Sequence, residues 1–234
     1  HSNDEKNRRL LDFAKNPLRL TLLVEIKQQR DKEGKEAEVE REVEIYDQYV
    51  DLHIERELSE RGSTETGELK KAALAWLAYE SFTSEKQAAR QLRRGWARDF
   101  IDKIIPKLKK KLELSAVDGR AAREEVLAEG LITLSADGES FQFFHPSLRD
   151  YFCAWHLAKN LDEEQTKNTI FDNLSNSKVN IDPQWGGVFV FYAGLIDDAT
   201  LLVGNIIHNN YIKDDIFFTN LRFASRCAAN SRYI

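Results

Sequence analysis

Apolar residues recur at helical spacing along most of this chain, and only one stretch alternates. Val43, Tyr46, Val50, Ile54 and Leu58 form one stripe and predict a long amphipathic helix ending near Arg61-Gly62. Leu69, Ala73, Trp76, Leu77 and Tyr79 or Glu80 mark a second helix, and Ser84-Glu85-Lys86-Gln87 has the spacing of a capping box opening a short third. Gly95 interrupts that one. Phe100, Ile101, Ile104, Leu108 and Leu112 then resume the helical period, with Pro106 expected to kink or split it. Residues 4–30 also read as helix, punctuated at Asn16-Pro17, because the residue before proline is pushed out of helical geometry. A fresh helix can start there with Pro17 near its first position and bury Leu18, Leu22, Leu23 and Ile26.

The alternating stretch is 131–144. Asp137-Gly138 between two alternating runs predicts a hairpin with a two-residue turn, both turn positions at positive φ, pairing Leu134 with Phe141 and Ile132 with Phe143. A helix over 115–130 precedes it, capped through Ser115 or Asp118 and closed by Gly130. After the hairpin, Pro146 suits a first helical position. Leu148, Tyr151, Phe152, Trp155 and Ala158 form one apolar stripe, and Arg149, Asp150, Cys153, His156 and Lys159 fall on the other side. Helices, a hairpin and a closing helix add up to a winged helix.

Beyond 160 the pattern is helical again. Asp162-Glu163-Glu164 starts a helix, 173–178 is a turn, and Asp182-Pro183 caps a helix over 185–196. Further helices are expected over 201–207 and 216–229, resembling the start of a repeat array. The predicted fold is therefore mainly α. A helical domain occupies 1–62, a winged helix with one β-hairpin 63–160, and an α-helical, repeat-like bundle 161–234.

Composition narrows the classes. Hydrophobic content of 42% with 31% charge is globular, and the net charge of −5 makes a generic nucleic-acid binder unexpected. No run approaches the length of a membrane span, and no signal peptide is evident, so a cytoplasmic protein without a membrane partner is expected. The two cysteines, Cys153 and Cys227, lack CxxC spacing and read as buried free thiols. His1-Ser2-Asn3 lacks an initiator methionine, so the chain is expected to be a fragment of a longer protein.

Candidate chemistry centres on His145, placed where a strand ends and a helix begins, beside orphan backbone N–H groups that favour an anion. Two readings stay open: a hydrogen-bonded junction histidine without a ligand, or an anion contact. Ser147, His145 and Asp150 would diverge around a helix start and make no catalytic triad. Gly34-Lys35 is followed by Glu36 and lacks an upstream glycine, so no phosphate-cradling loop is present. Residues 188–198 imitate a hydrophobic strand ending in acids, but read better as a helix. No metal-ligand spacing occurs. The basic face of Lys103, Lys107, Lys109, Lys110 and Lys111 reads as solvated. Arg120 and Arg123 precede the hairpin, as in DNA-binding winged helices, but Glu124, Glu125 and Glu129 accompany them.

Phe143, His145, Ser147, Leu148, Asp150, Tyr151, Phe152 and Ala154 together resemble the end of the winged helix in NACHT-type signalling NTPases of the STAND class. Asn16-Pro17-Leu18 followed by Leu20-Thr21-Leu22-Leu23 resembles that family's first helical domain, and 44–52 is similar to its Glu-Leu-Tyr segment. The resemblance covers most of 10–230. It implies that His145 contacts a phosphate of ADP and Pro17 packs on adenine, with the nucleotide held by a nucleotide-binding domain absent from this chain. It further implies ADP/ATP with Mg as cofactors of the longer protein, oligomerisation partners, and a role in defence signalling. On that reading this chain itself is neither an ATPase nor a strong nucleotide binder. The alternatives are a winged-helix DNA-binding regulator and a helical-repeat interaction scaffold.

Overall fold

The computed structural model describes residues 11, 15–34, 39, 41–61, 66–83, 92–114, 117–128, 130–160, 185–207 and 219–233. In chain order its elements are α1 (Pro17–Lys32), α2 (Glu42–Arg61), α3 (Gly67–Thr83), β1 (Leu92–Arg93), α4 (Arg94–Lys111), α5 (Gly119–Val126), β2 (Ile132–Leu134), β3 (Ser140–Phe143), α6 (Pro146–Asn160), α7 (Gly186–Leu195), α8 (Thr200–Ile207) and α9 (Thr219–Asn230). The chain is mainly helical with one small antiparallel sheet, as its periodicities predict. Packing divides it into one unit of residues 53–192 and another built from 1–52 with 193–234. The span expected as a winged helix, 63–160, lies within the first. The expectations at 84–87, 162–164, 173–178 and 182–183 fall outside the described residues, as does most of 4–14.

In the unit of 53–192, α3 and α6 form the centre. Ala72, Ala73, Ala75 and Ala78 on α3 are small enough to bring a neighbouring helix close, and Leu69, Leu74 and Leu77 fill the spaces between. α6 packs more extensively against α3 than any other pair of elements does, and α4 and α5 cover other sides of α3. The sheet order is β1-β3-β2, with β3 antiparallel to both neighbours. Three helices, two of them between β1 and β2, followed by a hairpin are the order expected for a winged helix.

The hairpin register is the predicted one: Ile132 opposes Phe143 and Leu134 opposes Phe141. Phe141 and Phe143 are buried while Gln142 between them is exposed, as a pleat with one covered face requires. Its turn differs from expectation, because among the two central residues only Gly138 has positive φ (+73°). The loop is wider than two residues: Ser135 N–H donates to Ser140 O at 2.8 Å and Gly138 N–H to Ser135 O at 2.9 Å. The Asp137 carboxylate accepts from Ser135 Oγ at 2.5 Å and from Glu139 N at 3.0 Å, which lets Asp137 stay in ordinary geometry.

Three further expectations change. Strand β1 was not legible: Leu92 and Arg93 join the sheet opposite Phe141 and Ser140. Gly95 lies inside the first turn of α4, and Pro106 does not split α4, which runs unbroken to Lys111. Cys153 and His156, assigned to the polar side of α6, are buried. The reason is that α6 has neighbours on several sides: α3, β3, and α7 through Tyr151 against Phe191, ring centroids 5.9 Å apart. The half-buried pair is instead Trp155 and Ala158. Both cysteines are buried and free, as expected.

In the other unit, Asn16 caps α1 as predicted, its Oδ1 accepting from Leu18 N at 3.0 Å and Arg19 N at 3.3 Å. Leu22 and Ile26 are buried; Leu18 and Leu23 are only half-buried. Arg41 ties the start of α2 to two helix C-termini. Its guanidinium donates to Gly194 O at 3.0 Å and Asn230 O at 3.4 Å, and pairs with Glu44 at 2.6 Å. Gly194 is required there, because a Cβ would lie 2.7 Å from Val43 Cγ1 and 2.9 Å from Asn230 O.

Candidate functional site

His145 stands between β3 and α6, directly before Pro146. Its carbonyl accepts from Leu148 N at 3.0 Å, opening the helix, and its ring Nδ1 accepts from Ser147 N at 3.1 Å. The imidazole thus replaces the usual hydroxyl or carboxylate at an N-terminal cap and satisfies an orphan donor. An N–H donor facing Nδ1 requires a lone pair there, so the proton of the neutral ring sits on Nε2. Burial holds the ring's pKa below its ordinary 6.5, which favours the neutral form. Among the described residues nothing accepts from Nε2–H. Next to it, Phe144 is a largely exposed aromatic, 53% accessible, whose backbone N–H is spent on Leu131 O at 3.0 Å.

The remaining motif residues have packing roles. Leu148, Tyr151, Phe152 and Ala154 are fully buried, and Phe143 meets Phe152 with ring centroids 5.7 Å apart. Asp150 lies against the first turn of α7, where its carboxylate occupies the space that a Cβ at Gly187 would need. Orphan N–H groups and the helix dipole make that turn favourable for an anion. Arg149 spreads its guanidinium over Phe82, 4.2 Å from the ring centroid, with Nη2 3.6 Å from Asp150 Oδ1. Ser147, His145 and Asp150 therefore serve three different purposes, and no nucleophile–base pair forms among them.

Pro17 is exposed at the first position of α1, with Leu20 and Val24 along the same helix face also exposed, 45% and 44%. It belongs to the unit of 1–52 and 193–234, whereas His145 belongs to that of 53–192. The two predicted contacts are thus each built by their own unit. An open hollow between α4 and α5, lined by Ile105, Pro106, Lys109, Lys110, Glu113 and Gly119, contains neither.

Two arrangements escaped the sequence reading. Lys70, 1% exposed, pairs with Glu57 Oε2, whose other oxygen lies 3.0 Å from His53 Nε2. Arg56 Nη2 is 2.9 Å from His53 Nδ1, so that nitrogen accepts and the ring proton sits on Nε2. Burial would raise the Glu57 carboxyl, but hydrogen bonds from His53 and Lys70 outweigh it and hold the pKa below the usual value. Gly130, at φ +144°, lies so close that any Cβ would collide with Glu57 Oε1 and His53 Nε2. The sequence trace of this cluster is a glycine two residues before a strand. The second is His156, buried and stacked on Tyr79 at 4.5 Å with Trp76 at 5.6 Å. Burial, then the charge of Lys111, push its pKa down to about 4.

The basic helices are partly committed. Lys107 lies 5.9 Å above the Trp76 ring, Lys109 donates to Val117 O, and Arg123 pairs with Asp102 at 2.7 Å and Glu124 at 3.2 Å. Among the described residues, no helix is long and apolar enough to cross a membrane.

No family model, curated protein or solved structure matches the chain.

Proposed function

We propose that this chain is the regulatory part of a NACHT-type STAND nucleotide switch, with His145 reading the phosphate of ADP bound by a separate nucleotide-binding domain. The observation that carries the reading is the presentation of His145. A winged helix ends in a ring whose inner nitrogen is occupied by Ser147 and whose outer N–H is left to donate. The apolar residues of the motif, Phe143, Leu148, Tyr151, Phe152 and Ala154, are buried in the core, while the ring at the strand–helix junction keeps a donor with no acceptor among the described residues. The exposed Pro17, with Leu20 and Val24 beside it, supplies an apolar surface suited to a flat ring such as adenine.

In this proposal ADP holds the closed state through the His145 donor. ATP weakens that hold and frees the winged helix for oligomerisation, in a cytoplasmic signalling role. The catalytic chemistry and Mg belong to the absent domain, and this chain's own part is to bind and bias. A hydrogen bond to a charged phosphate contributes about 1.5–3 kcal/mol, which shifts a two-state equilibrium by roughly 10- to 150-fold. In the longer protein, His145→Ala should raise spontaneous nucleotide exchange by that factor. An exchange rate equal to the parent's removes His145 from the switch, and a parent gene with no phosphate loop upstream removes the switch itself.

Binding of duplex DNA is the less favoured reading. Arg123, on the helix before the wing, is already paired with two carboxylates.

A further inference from the structure

We propose that the hollow between α4 and α5 is a docking site for an acidic peptide segment of another protein, which seats one apolar side chain beside the lysines of α4. This goes beyond the nucleotide reading and does not depend on it. Two residues shape the hollow. Gly119 opens α5 directly after its Asp118 cap, and a Cβ there would meet only Ile105 Cγ2, at 4.0 Å. Glycine at 119 therefore leaves the space unfilled. Pro106, exposed on the facing stripe of α4, has no N–H for the Asp102 carbonyl one turn back, so that carbonyl lacks its helical donor. Ile105 and Pro106 give the hollow apolar walls, and its volume of about 590 Å³ is within the range of ligand-sized pockets. It is open to solvent, so a peptide can insert one side chain and leave the rest of its chain outside.

Charge chooses the partner. The chain carries −5 overall, yet Lys103, Lys107, Lys109, Lys110 and Lys111 collect in the carboxy-terminal half of α4. Part of that charge is spent, Lys107 on the Trp76 ring and Lys109 on Val117 O, a bond that ties the end of α4 to the approach to α5. Lys110 on the rim, and Lys103 two turns back on the same stripe, are exposed and pair with no carboxylate among the described residues. Asp102 is taken by Arg123, and Glu113 is the one acid among the described lining residues. A peptide supplies everything this arrangement can receive: an apolar side chain, carboxylates, and backbone N–H groups for the Asp102 carbonyl. Duplex DNA brings phosphates for the lysines but nothing for the apolar walls. The anchor side chain supplies most of the affinity, and the exposed lysines add steering and salt dependence.

Fluorescence anisotropy with dye-labelled synthetic peptides tests this on the 234-residue chain. A single leucine or phenylalanine between runs of glutamate should bind saturably below about 1 mM, and more weakly as salt is raised. The same peptide with serine at its centre should bind at least about tenfold more weakly. Gly119→Leu, which fills the hollow from within, should abolish the preference for leucine while the urea midpoint stays near the parent's. Lys110→Glu should weaken binding several-fold. Glu113→Gly, which suits the left-handed φ of +58° and removes the opposing charge, should tighten it several-fold. Absence of saturable binding, or equal binding of leucine- and serine-centred peptides, overturns the proposal. Binding that Gly119→Leu leaves untouched also overturns it, by placing the peptide elsewhere. Tighter binding of a duplex oligonucleotide, lost in Lys110→Glu, assigns the lysines to nucleic acid instead. Self-association of the chain that Gly119→Leu removes, seen by sedimentation, assigns the hollow to a second copy and overturns it likewise. None of these results bears on the nucleotide-exchange test of His145→Ala.

Discussion

Acid should destabilise this protein through His156 in particular. The ring is 2% exposed, stacked on Tyr79, and its pKa falls from 6.5 to about 4. In the unfolded chain it regains the ordinary value, so the unfolded state binds the proton more readily. A depressed folded pKa contributes stability that is present above the unfolded pKa and is lost as pH falls. The loss begins near pH 6.5 and is complete below about 4. At about 1.4 kcal/mol per pKa unit the full contribution is about 3 kcal/mol, of which about 2 is gone by pH 5. His156→Phe keeps a flat ring for Tyr79 and removes the titration. Urea denaturation of both chains at pH 7, 6, 5 and 4.5 isolates the effect, because all other titrating groups are common to both. Whatever the variant loses in packing is a constant offset. The stability gap should close, or reverse, by about 2 kcal/mol between pH 7 and pH 5. Parallel curves would refute the argument, since they would mean that His156 titrates alike in the folded and unfolded states.

Other outcomes follow from the same geometry. Gly130→Ala should cost about 2–4 kcal/mol, through positive-φ strain and collision with Glu57 and His53, read as a lowered urea midpoint. An unchanged midpoint would mean the cluster has room to move. Lys70→Leu should cost about 1–3 kcal/mol by leaving the half-buried Glu57 carboxylate without its lysine, and adding Glu57→Leu should recover much of it; equal losses in the single and double variants would deny the coupling. Calorimetry with ADP on this chain should detect no micromolar binding, and such binding would contradict the assignment of the nucleotide to a separate domain.

The hairpin was legible because a period-two run on each side of Asp137-Gly138 permits one register with Phe141 and Phe143 on the covered face. Its turn was misjudged because Asp137 bonds its own neighbours through the side chain, which no periodicity reports. β1 left no trace, since two residues carry no period and Leu92 becomes a strand only by meeting Phe141. Cys153 and His156 were placed on the wrong side of α6 because a single apolar stripe assumes a single neighbour. The position of His145 could be read from Phe144 before it and Pro146 after it. Its capping role could not, because that depends on ring orientation. Lys70 was likewise invisible: a lysine on a helix reads as solvated until its carboxylate partner, Glu57, is found beside it.

Arg41 also sets an order of events during synthesis. Its carbonyl partners lie 153 and 189 residues further along the chain, at Gly194 and Asn230. The amino-terminal helices therefore emerge from the ribosome long before the carbonyls that complete their surroundings exist. Closing so long a loop is entropically late, whereas 53–192 is contiguous and can condense first. Until translation passes Asn230, the first 52 residues wait with apolar surface uncovered, and nascent-chain chaperones would have most to hold there.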